Sequence, residues 1–155
     1  MKNKNINSDV KRPKKKSHPF WSFFWLTFLV VSLGYAWYSF YAPSNEIKWV
    51  NISNQELLFN NSNKYSIVFF TGEWCSPCRI MKREVCADQK VEEIVNSKFR
   101  AIMIDVGNPE TNEIVNQYKT NVTPTTIILD SKGKVIERIV GKIEKNKFLE
   151  MLLSI

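Results

Sequence analysis

Hydrophobic positions fall along this chain in three patterns, and each predicts a different element. The first is an unbroken run: Phe20–Tyr41 (FWSFFWLTFLVVSLGYAWYSFY) contains no charged residue. The second is the short β-rich run bounded by polar residues. Tyr65–Thr71 (YSIVFFT), Arg100–Val106 (RAIMIDV) and Thr125–Leu129 (TTIIL) have this form and predict buried strands. Ile47–Val50 (IKWV) alternates and predicts a first strand, and Val135–Val140 predicts a last one. Asp130-Ser-Lys-Gly133 between the final two strands predicts a hairpin turn. The third pattern is helical spacing. Glu144–Leu153 places Phe148, Met151 and Leu152 on one face of an amphipathic helix. Further helices are predicted over Asn54–Asn61, capped by Ser53 or Asn54, over Cys75 to about Val95 with a bend near Ala87–Asp88, and over Glu110–Tyr118.

The resulting order is β-α-β-α-β-α-β-β-α. Alternation in the first half favours parallel pairing, and the tight hairpin in the second half is necessarily antiparallel. The pattern alone therefore predicts an α/β domain, a mixed central sheet flanked by helices, over residues 47–155. No internal repeat is visible.

The apolar run lies outside that domain. As a helix its 22 residues extend about 33 Å, enough for a hydrocarbon core of about 30 Å. Trp21, Trp25, Tyr35, Trp37, Tyr38 and Tyr41 crowd its ends, where amphipathic rings prefer the headgroup level. A cleaved signal peptide is the competing reading. The run is long for a signal-peptide core of about 7–15 residues, and it exits through YSFYAPSN with no A-x-A site. Residues 20–41 therefore read as a transmembrane anchor and 42–46 (APSNE) as a linker.

Charge sets the orientation. The chain's formal net charge is +7. Lys2, Lys4, Lys11, Arg12, Lys14, Lys15 and Lys16 all precede the run, against one acid, Asp9. From Glu46 onward there are 15 basic and 14 acidic residues, so the folded part is nearly neutral. A nucleic-acid module carries its basic patch on the folded surface, so this balance argues against a nucleic-acid partner. The positive-inside rule places residues 1–19 as a cytoplasmic tail, and everything after about residue 42 on the periplasmic or extracellular side of the cytoplasmic membrane. The tail's basic cluster also suits anionic headgroups.

Candidate chemistry centres on Thr71–Arg79 (TGEWCSPCR), where Cys75 and Cys78 lie three apart. A structural zinc site wants four Cys or His ligands. Residues 47–155 hold three cysteines and no histidine, His18 being the single one in the chain, so we expect no metal. The same lack excludes a Cys–His hydrolase pair, and Arg79 after Cys78 excludes C-x-x-C-H haem attachment. A C-x-x-C bridge closes too small a loop to be an effective staple. Cys86 lies about 16 Å from Cys75 along one helix, beyond disulfide reach, and reads as a buried apolar residue, with a regulatory thiol as the alternative. A redox pair fits the details. A helix starting at Cys75 supplies free N–H groups that favour its thiolate, and Cys78, one turn on, can attack a mixed disulfide. Pro77 sits in the first turn, where its missing N–H costs nothing. Trp74 is either a partner contact or ordinary packing. Pro124, in Val122-Thr123-Pro124-Thr125, is either a trans strand start or a cis turn.

WCSPC after a hydrophobic strand, Thr123-Pro124-Thr125 opening another, D-x-x-G at 130–133 and Val140-Gly141 before the last helix together resemble the thioredoxin superfamily. The likeness runs over 47–155. The stretch FTGEWCSPCRIMKREV, followed by KVEEIVNSKF, is similar to thioredoxin-like domains of bacterial envelope disulfide-interchange reductases, which have a longer connection after the active-site helix. The resemblance implies a thioredoxin fold behind one transmembrane helix. It implies that Cys75 attacks and Cys78 resolves, with the Cys75–Cys78 disulfide as the redox group and no separate cofactor. It implies that Pro124 is cis and faces the pair, that Thr123 offers backbone to an extended client, and that Gly141 borders the same groove.

One departure stands out. Cytosolic thioredoxins carry a buried Asp six residues before the first cysteine; here that position is Phe69, and its lysine partner's place is near Ala101. Glu73 is the nearest acid and a candidate proton acceptor for Cys78, with a water relay as the alternative. Asp105, ending a strand, reads as structural.

The implied function is a membrane-anchored extracytoplasmic thiol–disulfide oxidoreductase. The proline before Cys78 resembles reductases, so protein disulfides are the expected substrates, among them apocytochrome c thiols or mis-oxidised envelope proteins. The implied partners are protein thiol clients and a transmembrane thiol electron donor. The alternatives are a disulfide oxidase or isomerase, or a non-catalytic redox-sensing or client-binding module.

Overall fold

The computed structural model describes residues 19–41, 45–52 and 64–155. The helix expected over 54–61 and most of the basic tail fall outside them. The chain divides at Tyr38/Ser39 into two compact units. In the first, helix α1 (Pro19–Phe40) is a single continuous helix whose described side chains are almost all exposed. By length and composition it can cross a bilayer.

The second unit is built on a five-stranded mixed sheet. Its strands are β1 (Val50–Asn51), β2 (Tyr65–Thr71), β3 (Phe99–Asp105), β4 (Thr125–Leu129) and β5 (Val135–Val140), in the order β1-β3-β2-β4-β5. β3 pairs parallel with β1 and β2, whereas β4 pairs antiparallel with β2 and β5. This is the mixed sheet that the element order predicts. The central strand β2 is buried from Ser66 to Thr71, because helices cover both of its faces. Ile67 and Phe69 face one way, into a core with Val85, Val91, Val95, Phe148 and Leu152. Val68 and Phe70 face the other way, against Ile114 and Tyr118. Full burial of each such side chain stabilises the fold by about 1.5–3 kcal/mol.

The helices are α2 (Ser76–Met81), α3 (Gln89–Lys98), α4 (Asn112–Gln117) and α5 (Lys145–Ser154). The long helix expected from Cys75 is interrupted rather than bent. Cys75 stands just outside α2 as its N-cap, in extended backbone. α2 runs into a π-helical turn, Lys82–Cys86, which ends at Ala87. Asp88 then restarts the chain as the N-cap of α3, its carboxylate accepting from the Lys90 N–H at 3.1 Å.

Other boundaries shift for local reasons. Only Val50 and Asn51 pair as strand β1. The preceding residues are held by α3 instead: Glu92 accepts from the Glu46 N–H and Asn96 from the Lys48 N–H. The third strand starts one residue early, at Phe99. The helix expected from Glu110 begins as a 3-10 turn, Pro109–Thr111, capped by Asn108. The hairpin turn forms as expected: Asp130 Oδ1 accepts from both the Lys132 and Lys134 N–H groups at 2.8 Å, and Gly133 takes a left-handed φ of 81°.

Candidate functional site

Strand register fixes where the site lies. Phe70 pairs with Thr125, Thr71 with Asp105, and Thr125 with Val140. The loop leaving β2, the residues entering β4 and those leaving β5 therefore meet at one end of the sheet. That end carries residues 72–75, 122–124 and 141.

The loop after β2 is closed by the Cys75 N–H, which donates to the Gly72 carbonyl at 3.0 Å. A Cβ at Gly72 would come within 3.2 Å of the Trp74 ring, tight enough that the indole would have to give. The indole thus lies against the loop backbone, yet Trp74 remains 70% exposed. It is not core packing.

Cys75 and Cys78 form a disulfide with Cα atoms 5.3 Å apart. As N-cap, Cys75 accepts the Cys78 N–H on its Sγ at 3.2 Å, and its carbonyl accepts from the Arg79 N–H. A sulfur that already receives an N–H and sits before a helix is an environment that favours thiolate. Pro77 occupies the first turn of α2, as expected, and is exposed. In this oxidised state both cysteines are covered, Cys75 being 2% and Cys78 1% exposed.

The Thr123–Pro124 peptide is cis. Its loop is held by the Thr125 hydroxyl, which donates to the Val122 carbonyl at 2.7 Å. The Gly141 N–H donates to the Pro124 carbonyl at 2.7 Å, so these two sequence-predicted residues do come together. Gly141 has a φ of +90°, which favours glycine, although the space around it is open. Pro124 is buried, Thr123 half-buried and Val122 exposed.

A cavity of about 520 Å³ lies beside the pair, lined by Cys78, Glu73, Arg79, Lys82, Thr71 and Asp105 among others. Phe69 is buried on β2, so no carboxylate comes from that strand. Glu73 is solvent-exposed, and its backbone carbonyl accepts from Arg79. The residue that the sequence reading passed over is Lys82. Its Nζ stands 6.0 Å from the centre of the Phe69 ring. Burial pushes the Lys82 ammonium below lysine's usual range, opposed by attraction to Cys86 and Asp105. The signal was present: Lys82 follows Cys78 by four positions, one helical turn.

Cys86 is 2% exposed, and burial pushes its thiol up to about 12. That environment suits an inert packing residue rather than a regulatory thiol.

Residues 54–155 match the family model described as a thioredoxin-like domain. The chain is 30% identical over 92 residues to a thioredoxin of Mycoplasmoides gallisepticum, spanning 59% of this chain and 85% of that protein. A thioredoxin from Thermus thermophilus superposes with a TM-score of 0.62 at 24% identity, over 70% of this chain and 86% of that one. A structure titled DsbH oxidoreductase superposes at 0.57 with 20% identity, covering 74% and 88%.

Proposed function

Starting from a chain that belongs to the thioredoxin-like family and is a thiol–disulfide oxidoreductase, we propose that it works as a membrane-anchored reductase of protein disulfides outside the cytoplasm. The observation that carries this is the charge-free helix α1 ahead of the dithiol domain, with seven basic residues and one acid before it. In this division residues 1–19 are the cytoplasmic tail, 20–41 the anchor, 42–46 the linker and 47–155 the working domain.

The Cys75 thiolate attacks one sulfur of a client disulfide, forming a Cys75–client bond and releasing one client thiolate. The Cys78 thiolate then attacks the Cys75 sulfur. The Cys75–Cys78 disulfide forms, and the second client thiolate leaves. Two electrons have passed to the client, whose thiolates take protons from water. No separate cofactor takes part. Because both cysteines are covered in the disulfide state, the client approaches over the rim formed by Trp74, Val122 and Thr123. An extended client segment lies along the Thr123 backbone, with Gly141 at the edge of the groove.

A reductant outside the cytoplasm must be recharged, so a transmembrane thiol carrier is the second partner. Client candidates are apocytochrome c, whose oxidised cysteines would be returned to thiols, and mis-oxidised envelope proteins. In the Cys78→Ala variant the mixed disulfide cannot resolve. Expressed in intact cells, this variant should accumulate clients and donor on Cys75, and the fraction of Cys75 left as free thiol should react with a membrane-impermeant maleimide. Labelling only after lysis contradicts the location. Mixed disulfides that form on Cys78 in Cys75→Ala, but not on Cys75, contradict the roles.

A further inference from the structure

Cys78 poses an electrostatic problem that the apolar strand beneath it does not solve. The residue is 1% exposed and sits in a core with Ile67, Phe69, Met81 and Val85. Burial of that kind raises a thiol's pKa, as Cys86 on the following turn illustrates. Yet Cys78 must become a thiolate to attack Cys75. Four charged side chains line the cavity onto which Cys78 opens: Glu73, Arg79, Lys82 and Asp105. Glu73 and Asp105 are carboxylates and oppose a second negative charge; Asp105 Oδ1 also accepts the Gly107 N–H at 2.9 Å. Arg79 is turned toward the loop, its guanidinium donating to the Glu73 carbonyl at 3.1 Å.

We propose that the ammonium of Lys82, held over Phe69 in this cavity one turn below Cys78, is the charge that ionises Cys78 for the resolving step. The inference rests on thiol–disulfide exchange by the Cys75–Cys78 pair and not on the direction of electron flow. Lys82 acts through Cys78 and touches no client, so it is a positioning residue. Its stem is half-buried, and its Nζ lies 6.0 Å from the Phe69 ring centre. The groups facing it are Cys78 and Cys86 on its own helical run, Glu73 and Arg79 above, and Asp105 from β3. Burial makes its positive charge costly, and Asp105 opposes that cost. A thiolate at Cys78 offsets that cost.

With Cys75 joined to the client, the Cys78 thiol gives its proton to water and Lys82 stabilises the thiolate left behind. That thiolate forms the Cys75–Cys78 bond, and the client sulfur leaves with the electron pair.

The test uses the reduced full-length chain and the aromatic disulfide 5,5′-dithiobis(2-nitrobenzoate). Release of the first coloured thiolate reports attack by Cys75, and release of the second reports resolution by Cys78. Resolution is followed from pH 5 to 10. In Lys82→Met the midpoint of the second phase should rise by about one pH unit, the lower end of the effect of a nearby opposite charge. Resolution at neutral pH then slows about tenfold, with the first phase unchanged. Lys82→Arg should restore the wild-type midpoint. A Lys82→Met profile that coincides with wild type, or a Lys82→Arg profile that follows Lys82→Met, overturns the role of Lys82. A wild-type protein with no second phase overturns the exchange reading itself.

Discussion

The Cys78 N–H points at the Cys75 sulfur from 3.2 Å, so the second cysteine of the pair helps hold the first as well as bridging to it. This contact exists because Cys75 is the N-cap of α2 and not its first residue. The two sulfurs are both buried but differ in setting: Cys75 caps the start of α2, and Cys78 lies within its first turn. Substitutions should separate them. Cys75→Ala should abolish insulin reduction, and Cys78→Ala should abolish turnover while still consuming one equivalent of disulfide reagent. Equal loss of the first chemical step in both variants would contradict the assignment.

Trp74 is exposed and packs on Gly72 rather than on the core. Trp74→Ala should leave thermal stability within about 0.5 kcal/mol of wild type, as surface substitutions usually do. Its effect should fall on protein clients. Insulin reduction should slow severalfold, whereas reduction of a small aromatic disulfide should change little. Stability and kinetics measured on one preparation check both halves.

Gly141 joins the Pro124 carbonyl with a left-handed backbone. Gly141→Ala meets open space, so its cost is conformational only, about 1–2 kcal/mol. Denaturant unfolding measures this, with an unchanged m-value expected.

Two ion pairs tie the interrupted helix to α5 and its approach: Lys142 to Glu84 at 2.8 Å and Lys145 to Asp88 at 3.0 Å. The hydrogen bond from each lysine holds the partner carboxyl below the usual carboxylate range. A carboxyl with a lowered folded value adds stability that is present above its ordinary pKa, here 4.5 and 3.8, and is lost as pH falls through the lowered value. Melting curves from pH 6 to pH 2 should therefore fall less steeply for Glu84→Gln and Asp88→Asn than for wild type. Both pairs are partly solvated, so each effect is small and weakens with salt.

Cys86 is buried with its thiol pushed up to about 12. Iodoacetamide at pH 8 should modify Cys75 in the reduced native protein and leave Cys86 untouched, as read by peptide mass spectrometry. Cys86→Ser, which places a hydroxyl in an apolar core, should cost about 1–3 kcal/mol.

The sheet was legible because its central strands are short apolar runs, and the length and the β-branched and aromatic content of YSIVFFT favour a strand covered on both faces. The site loop was legible for the same reason, since WCSPC leaves directly from that strand. Three features were less so. The π-helical turn Lys82–Cys86 is not encoded by periodicity, although the break at Ala87–Asp88 falls where the sequence placed a bend. Trp49 looked like a strand residue, but its indole donates to Asn45 and its neighbours bond to α3, so only Val50 and Asn51 pair. Lys82 carries a charge, and a charge on an amphipathic helix reads as solvent-facing. Only the fold shows it over Phe69, at the side of the cavity that Cys78 shares.

Reductase and oxidant are separated by the reduction potential of the Cys75–Cys78 pair, measured on the full-length chain against glutathione or dithiothreitol buffers. A reductase should give a value near that of thioredoxin, about −270 mV; a value near −120 mV, that of a strong disulfide-forming oxidant, would overturn the reductase reading.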